Sequence, residues 1–329
     1  MRIMLSSFGA WCTLSCVGTA LLPGCDNGPT ATPPYREFDP PGFGVSERSD
    51  TLAVLDGELV QREPDALRIG ELYVSTPGLL AFSIFEHQVV WIGAGDAEPI
   101  LHVQRLDPPL DRTAPLMAAG GVTDIYPDVE GAWLRTRTGL SYVAYPPESA
   151  KTEPDLHYVM AYQKADMHPV DVAVQPGIGL WVAEDFRVKR LEGDTEHPLN
   201  WPRPEKIQRL LVEQEHLWIL TLSGRLLAID LADQAVTQDI TLAGPGIAIA
   251  PADDGFYVAL GVQADVAGRT VAIHHIGHDG SPRWVSDDIA SCRSAECRSL
   301  VVTSNRVIYG GSGKFVALNP STGKRIEAE

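Results

Sequence analysis

Along most of this chain apolar and polar residues alternate over short runs, and turn residues separate the runs. That two-residue period predicts half-buried β-strands. The pattern is clearest near the C-terminus, where residues 300–303, 306–310 and 314–318 read as three consecutive strands. The last is entered through Ser312-Gly313 and left through Asn319-Pro320. Each break has a physical reason: Gly reaches positive φ, Asn and Ser bond their own backbone, and Pro fixes φ. No stretch keeps an apolar stripe at helical spacing over four turns, so the chain reads as all-β.

The strand triplet recurs. Residues 210–236 are a close copy, with Ser223-Gly224-Arg225 matching Ser312-Gly313-Lys314. Looser copies cover 79–107, 124–145, 170–192 and 246–276. Each copy carries one aromatic marker in its second strand: Trp91, Trp133, Trp181, Trp218, Tyr257 and Tyr309. A repeat of about 40–50 residues with three or four strands per unit predicts propeller blades. Closure into a ring follows, because one blade has two faces to bury and needs a neighbour on each. Fourth, outer strands are expected at 116–122, 157–163, 237–242 and 282–286. Residues 51–76 hold strand signals at 52–55, 59–62 and 67–75, and either complete the last blade or form a short seventh. The expectation is six or seven antiparallel blades of three to four strands over 51–329, with Trp91, Trp133, Trp181 and Trp218 buried between blades at one common strand position.

The N-terminus departs from this pattern. Arg2, an apolar run from Ile3 to Leu22, and then Leu22-Pro23-Gly24-Cys25 read as a secretion signal over 1–24. The last four of those residues are similar to a bacterial lipobox, with Cys25 as the lipidation site. Residues 25–50 are rich in Pro and Gly, a composition that favours extended, solvated chain and predicts a tether. Tyr35, Phe38 and Phe43 are unusual for a spacer, and packing on the body is the expected use. Cys12 and Cys16 leave with the signal. Cys292 and Cys297 remain within one loop, and in an oxidising compartment they are expected to form a local disulfide.

VIYGGSGKFVALNPSTGKRI, the last repeat, resembles the PQQ-like and related WD-type propellers, in which a strand, a Gly-rich turn, an apolar strand and an Asn/Asp-x-x-x-Gly-Lys turn follow one another. The resemblance covers roughly 52–329 and implies a propeller fold. That group includes quinone-cofactor dehydrogenases, which have an adjacent-cysteine disulfide and a calcium-linked acidic site. Cys292 and Cys297 are not adjacent, and no matching acidic constellation is present. It also includes non-enzymatic lipoproteins of the cell envelope, one of them a scaffold in outer-membrane protein assembly. Lipobox, tether and repeats match that branch, so no cofactor is expected.

Charge narrows the partners. The chain has 26 basic and 43 acidic residues, a formal net charge of −17. Such a surface argues against nucleic acid and anionic lipid as ligands and suits basic or cation-bearing partners. Chemistry is sparse. His274-His275-x-x-His278-Asp279 is the densest set of metal-ligand types. Consecutive strand residues point to opposite faces, so at most two meet, His275 or His274 with His278 across the Gly277 turn. Asp253-Asp254-Gly255 reads as a turn, since calcium needs more oxygens at regular spacing. There is no nucleophile elbow, phosphate-binding Gly loop or H-E-x-x-H. The leading expectation is an exported, membrane-anchored lipoprotein on the periplasmic or outer surface, monomeric, binding an envelope protein or polymer. The alternative is a propeller lyase or hydrolase with a metal in the central channel.

Overall fold

The structure, a computed structural model, describes residues 52–326 apart from 96–97, 106–109, 117–120, 137–138, 145–158, 166, 168, 202–204, 263–269, 292–298 and 312–313. Within it, twenty-eight strands, numbered β1–β28 in chain order, form seven four-stranded antiparallel sheets, and the described residues contain no helix. Every sheet is a simple meander. The blades span 52–75, 79–115, 122–165, 171–198, 207–241, 246–291 and 299–326. Turn chemistry sets their registers. In the first hairpin Asp56 and Gly57 both take positive φ, 51° and 84°, the geometry that joins two right-twisted strands with only two residues.

The ring closes through its innermost strands. β1 (Leu52–Leu55), β5 (Leu79–Phe85), β9 (Val122–Pro127), β13 (Asp171–Gln175), β17 (Ile207–Glu213), β21 (Gly246–Ala252) and β25 (Ser299–Val302) neighbour one another in that order, and β25 returns to β1. Seven blades, not six, therefore make the ring. Residues 51–76 do not complete the last blade, which has its own outer strand, β28 (Arg325–Ile326). The segment read as one strand over 67–75 is two, β3 (Ala66–Ile69) and β4 (Leu72–Ser75), turned by Gly70 at φ 55°. The outer strand of blade 2 is β8 (Leu110–Pro115) rather than 116–122. Leu116 lies beyond it, fully buried, its amide donating to the Pro99 carbonyl at 2.7 Å, and Val122 already opens the next blade. Buried Leu116 at the start of that stretch and Val122 at its end had imitated one strand. The other three outer strands fall near their expected places, at Val159–Ala165, Val236–Thr241 and Pro282–Ser291.

The core consists of layers between neighbouring blades, and the aromatic markers fill them. Trp133 packs on Val172 and Leu180 of blade 4. Trp181 packs on Leu210 and Leu217 of blade 5, and Trp218 on Phe256 and Val258 of blade 6. These three point to the following blade. Trp91 is buried too but breaks the common position. It is the fourth residue of β6 (Gln88–Gly93), whereas Trp218 is the third of β18 (His216–Thr221), and both strands leave two-residue hairpins. A shift of one residue moves a side chain to the other face of a sheet. Trp91 accordingly packs backwards, on Val60, Leu67 and Val74 of blade 1. The reason lies in blade 1, whose third β2 (Glu58–Glu63) residue is Val60, too small to fill the layer from its own side.

Polar links tie the same layers. Arg62 donates to the carbonyls of Leu79 and Leu80, at 2.6 and 3.3 Å, between blades 1 and 2. Asp171 accepts the Leu210 amide at 2.7 Å between blades 4 and 5. Trp284 Nε1 and Tyr257 Oη both donate to the Pro320 carbonyl, joining blades 6 and 7.

Candidate functional site

Of the residues singled out by sequence, Cys25, Cys292 and Cys297 lie outside the described residues, as does the tether. His275 and His278 are placed, and they go to separate partners. His275 is buried in β23 (Thr270–Gly277), where its Nε2 lies 2.9 Å from Asp254 Oδ1 and its ring packs 4.6 Å from that of Tyr257. His278 leans across to blade 5, its Nε2 3.6 Å from Glu213 Oε2 and its ring edge-on to Phe256 at 5.0 Å. Burial raises the Glu213 pKa above its ordinary value, against the pull of His278 and His216. Burial lowers that of His274, which faces the other side of the strand. Among the described residues no three His, Cys, Asp or Glu side chains converge as metal ligands. The two histidines thus face different carboxylates, one on blade 6 and one on blade 5.

Two surfaces stand out instead. The first is one rim of the ring. In a four-stranded meander the first and third turns of every blade lie at the same end. Contacts between blades confirm a shared rim: His87 Nδ1 is 2.5 Å from Asp56 Oδ1, and the Gly177 amide donates to Asp128 Oδ1 at 2.9 Å. Each of blades 1–6 presents an exposed carboxylate there, among them Glu71, Glu86, Glu130, Asp194, Glu215 and Asp253. Among the described turn residues of those six blades at this rim, none is Lys or Arg; Arg306 and Lys324 belong to blade 7. By sequence the links towards the other end mix the signs, with Arg137, Arg203, Lys206, Arg269, Arg293 and Arg298 among their acids, against Lys151 alone in the links of blades 1–6 at the acidic rim. Within the acidic rim, Val129 and Ile178 stand on the neighbouring turns that Asp128 links, 57% and 45% exposed.

The second surface is a cleft of about 420 Å³ between blades 1 and 2. One wall is β4 with Pro77; the other is Trp91, His102 and Gln104 of blade 2. His102 and Gln104 share a face of β7 (Ile100–Arg105), two residues apart, and His102 is the cross-strand partner of Trp91. The two rings stack at 3.6 Å and 3°. Gly93 makes room for them: a Cβ there would come within 2.8 Å of the Trp91 ring and 3.1 Å of the Pro77 carbonyl. Leu72 and Tyr73 of β4 are 59% and 64% exposed. Sequence reading missed this site. Its signals were the missing marker in blade 1 and the uncharged strand Leu72-Tyr73-Val74-Ser75.

No protein-family model matches the chain, and no curated protein matches it. Solved structures do. BamB from Moraxella catarrhalis is similar over 86% of this chain and 87% of its own, with a TM-score of 0.50 at 12% identity. The WD40 β-propeller domain of Doa1 covers 82% of this chain and 92% of its own, at TM-score 0.53 and 15% identity. Hsv2 of Kluyvelomyces marxianus covers 82% and 91%, at TM-score 0.56 and 7% identity. By fold this chain is a seven-bladed β-propeller, similar to the PQQ-like and WD40 propellers.

Proposed function

We propose that this protein is a lipid-anchored propeller of the bacterial cell envelope that binds a basic protein partner on its acidic rim. The observation that carries the reading is the concentration of carboxylates: six consecutive blades offer them at one end, where Arg283 already lies between Asp254 and Asp279. Carboxylates ringed in this way steer a cationic partner and repel anionic ones. Val129 and Ile178 add apolar area within that field, where desolvated contacts hold a complex that charge alone only guides. The signal-like 1–24, Cys25 and the Pro-rich tether support anchoring. A flexible tether of that length reaches some tens of ångströms, about or beyond the screening length of roughly 8 Å at physiological salt, so the acidic body is not pressed against anionic headgroups.

The test is capture from native envelope with the anchor intact. Wild type should retain a basic protein whose recovery falls as salt rises. The triple variant Glu130→Lys, Glu215→Lys, Asp253→Lys should lose it while keeping its melting temperature. Equal capture by the variant would reject the rim as the binding surface. Cys25→Ser tests the anchor separately, and should move the protein out of the membrane fraction with the ring still folded.

A further inference from the structure

We infer that the cleft between blades 1 and 2 is a second binding site, which takes an extended, uncharged polypeptide segment from another protein as a fifth strand on β4. Three observations carry this. First, β4 is the outer strand of its sheet, and its far edge has no strand partner among the described residues. An edge of this kind is a template for strand addition, and proteins usually guard it with charge. The other six outer strands all hold a charged residue: Asp111, Lys164, Glu196, Asp239, Arg283 and Arg325. Leu72-Tyr73-Val74-Ser75 holds none. Second, the cleft lies directly against this edge, with Leu72 and Tyr73 exposed on one wall and the stacked Trp91–His102 pair on the other. A strand added to β4 directs every second side chain to one face, so alternate residues reach the cleft. Third, Trp91 lines the cleft at 3% exposure and its indole N–H has no hydrogen-bond partner among the described residues. An unpaired buried donor is costly, and the Trp181 indole in the equivalent strand is satisfied. An oxygen brought by an inserted Asn, Gln, Ser or Thr is the missing acceptor. The occupant is therefore β-forming, uncharged over the four residues that pair, and carries one such side chain. Its chemistry is unlike that of the basic partner of the rim, so the two surfaces serve different segments.

The experiment uses soluble Cys25→Ser protein and a capped hexapeptide, TVNVTV. Titration is followed by tryptophan fluorescence, with hydrogen exchange at the Tyr73 and Ser75 amides, which point away from β3. Binding should protect those amides. A peptide N-methylated at alternate residues keeps the side chains but loses main-chain donors, and should bind at least about tenfold more weakly, as should TVKVEV. Tyr73→Asp should abolish binding. Trp91→Phe should weaken TVNVTV but not TVAVTV. The rim triple variant should bind the peptide normally, so a failure of the rim reading leaves this result standing, and the reverse holds too. Indifference to N-methylation or to Tyr73→Asp would overturn strand addition. Protection of the Tyr73 and Ser75 amides before any peptide is added, with no peptide bound, would also overturn it, and would assign the edge to this chain's own residues 25–51.

Discussion

The layers between blades 4 and 5 and between blades 1 and 2 solve one problem in opposite ways. At the first, Trp181 comes from the earlier blade, is fully buried, donates from Nε1 to Gln175 Oε1 at 3.0 Å and has Arg190 5.8 Å from its ring centroid. At the second, the earlier blade offers only Val60, and Trp91 enters from the later one. Trp91 stacks on His102, has no N–H partner among the described residues and leaves a cleft beside it. A propeller layer can be filled from either side, but the direction is not neutral. The forward Trp finishes its layer as core. The backward Trp finishes the inner part of the layer and opens the outer part to solvent. Here the slack in a repeat becomes a place to bind.

The largest expected effect tests whether the two tryptophans differ as core residues. Trp181→Ala should cost roughly 3–5 kcal/mol of unfolding free energy in a denaturant titration, from lost burial plus the cavity left behind. Trp91→Ala should lie at or below the bottom of that range, because its layer already opens to water. Equal costs would break the comparison.

Conservative changes sharpen it. Trp181→Phe removes one satisfied hydrogen bond and strands Gln175, and should cost about 1–2 kcal/mol beyond the lost ring area. Trp91→Phe removes a donor that has no partner among the described residues, so the same area loss should be partly offset. A larger cost at Trp91 than at Trp181, read by the same titration, would show that its N–H is satisfied in solution.

The two layers also mark what sequence could and could not reveal. Blades 5 and 7 were readable because alternation, marker and turn all agree in 210–236 and 300–326. The marker in blade 2 was readable as well, but not its direction: a one-residue offset decides which face a side chain takes, and the hairpin before Trp91 looks ordinary. Blade 1 was ambiguous because it lacks a marker, and its outer strand was merged with β3 because Gly70-Glu71 is a minimal turn. The acidic rim was legible only as a net charge. Its location needed the meander topology, which sends alternate turns to opposite ends. His275 and His278 were paired by spacing, while the fold sets them against different carboxylates, Asp254 of blade 6 and Glu213 of blade 5.

A smaller effect is expected at Cys292 and Cys297, which by sequence lie between blades 6 and 7. A bridge over so few residues removes little freedom from the unfolded chain, about 2 kcal/mol at most in the chain-entropy view. Changing both to Ser should therefore move thermal unfolding only slightly. Two thiols labelled in native, envelope-purified protein would remove the bridge altogether, and collapse on reduction would show that it holds the fold.

The smallest effect lies in the layer between blades 5 and 6, which is packed like that between 4 and 5 but contains the Glu213–His278 pair at 3.6 Å. Burial is the first influence on Glu213 and raises its pKa, while His278 and His216 only partly oppose it. A carboxyl whose folded pKa lies above its unfolded one favours the folded state while protonated, and that contribution is lost as pH rises through the folded value. Glu213→Gln stays neutral throughout. Wild type should thus lose melting temperature relative to the variant on going from pH 4 to pH 7. If wild type instead gains on the variant over that interval, the ion pair with His278 outweighs burial. The layer between blades 5 and 6 would then be held by charge as well as by Trp218 and Phe256, and the filled half of the ring would be less uniform than its tryptophans suggest.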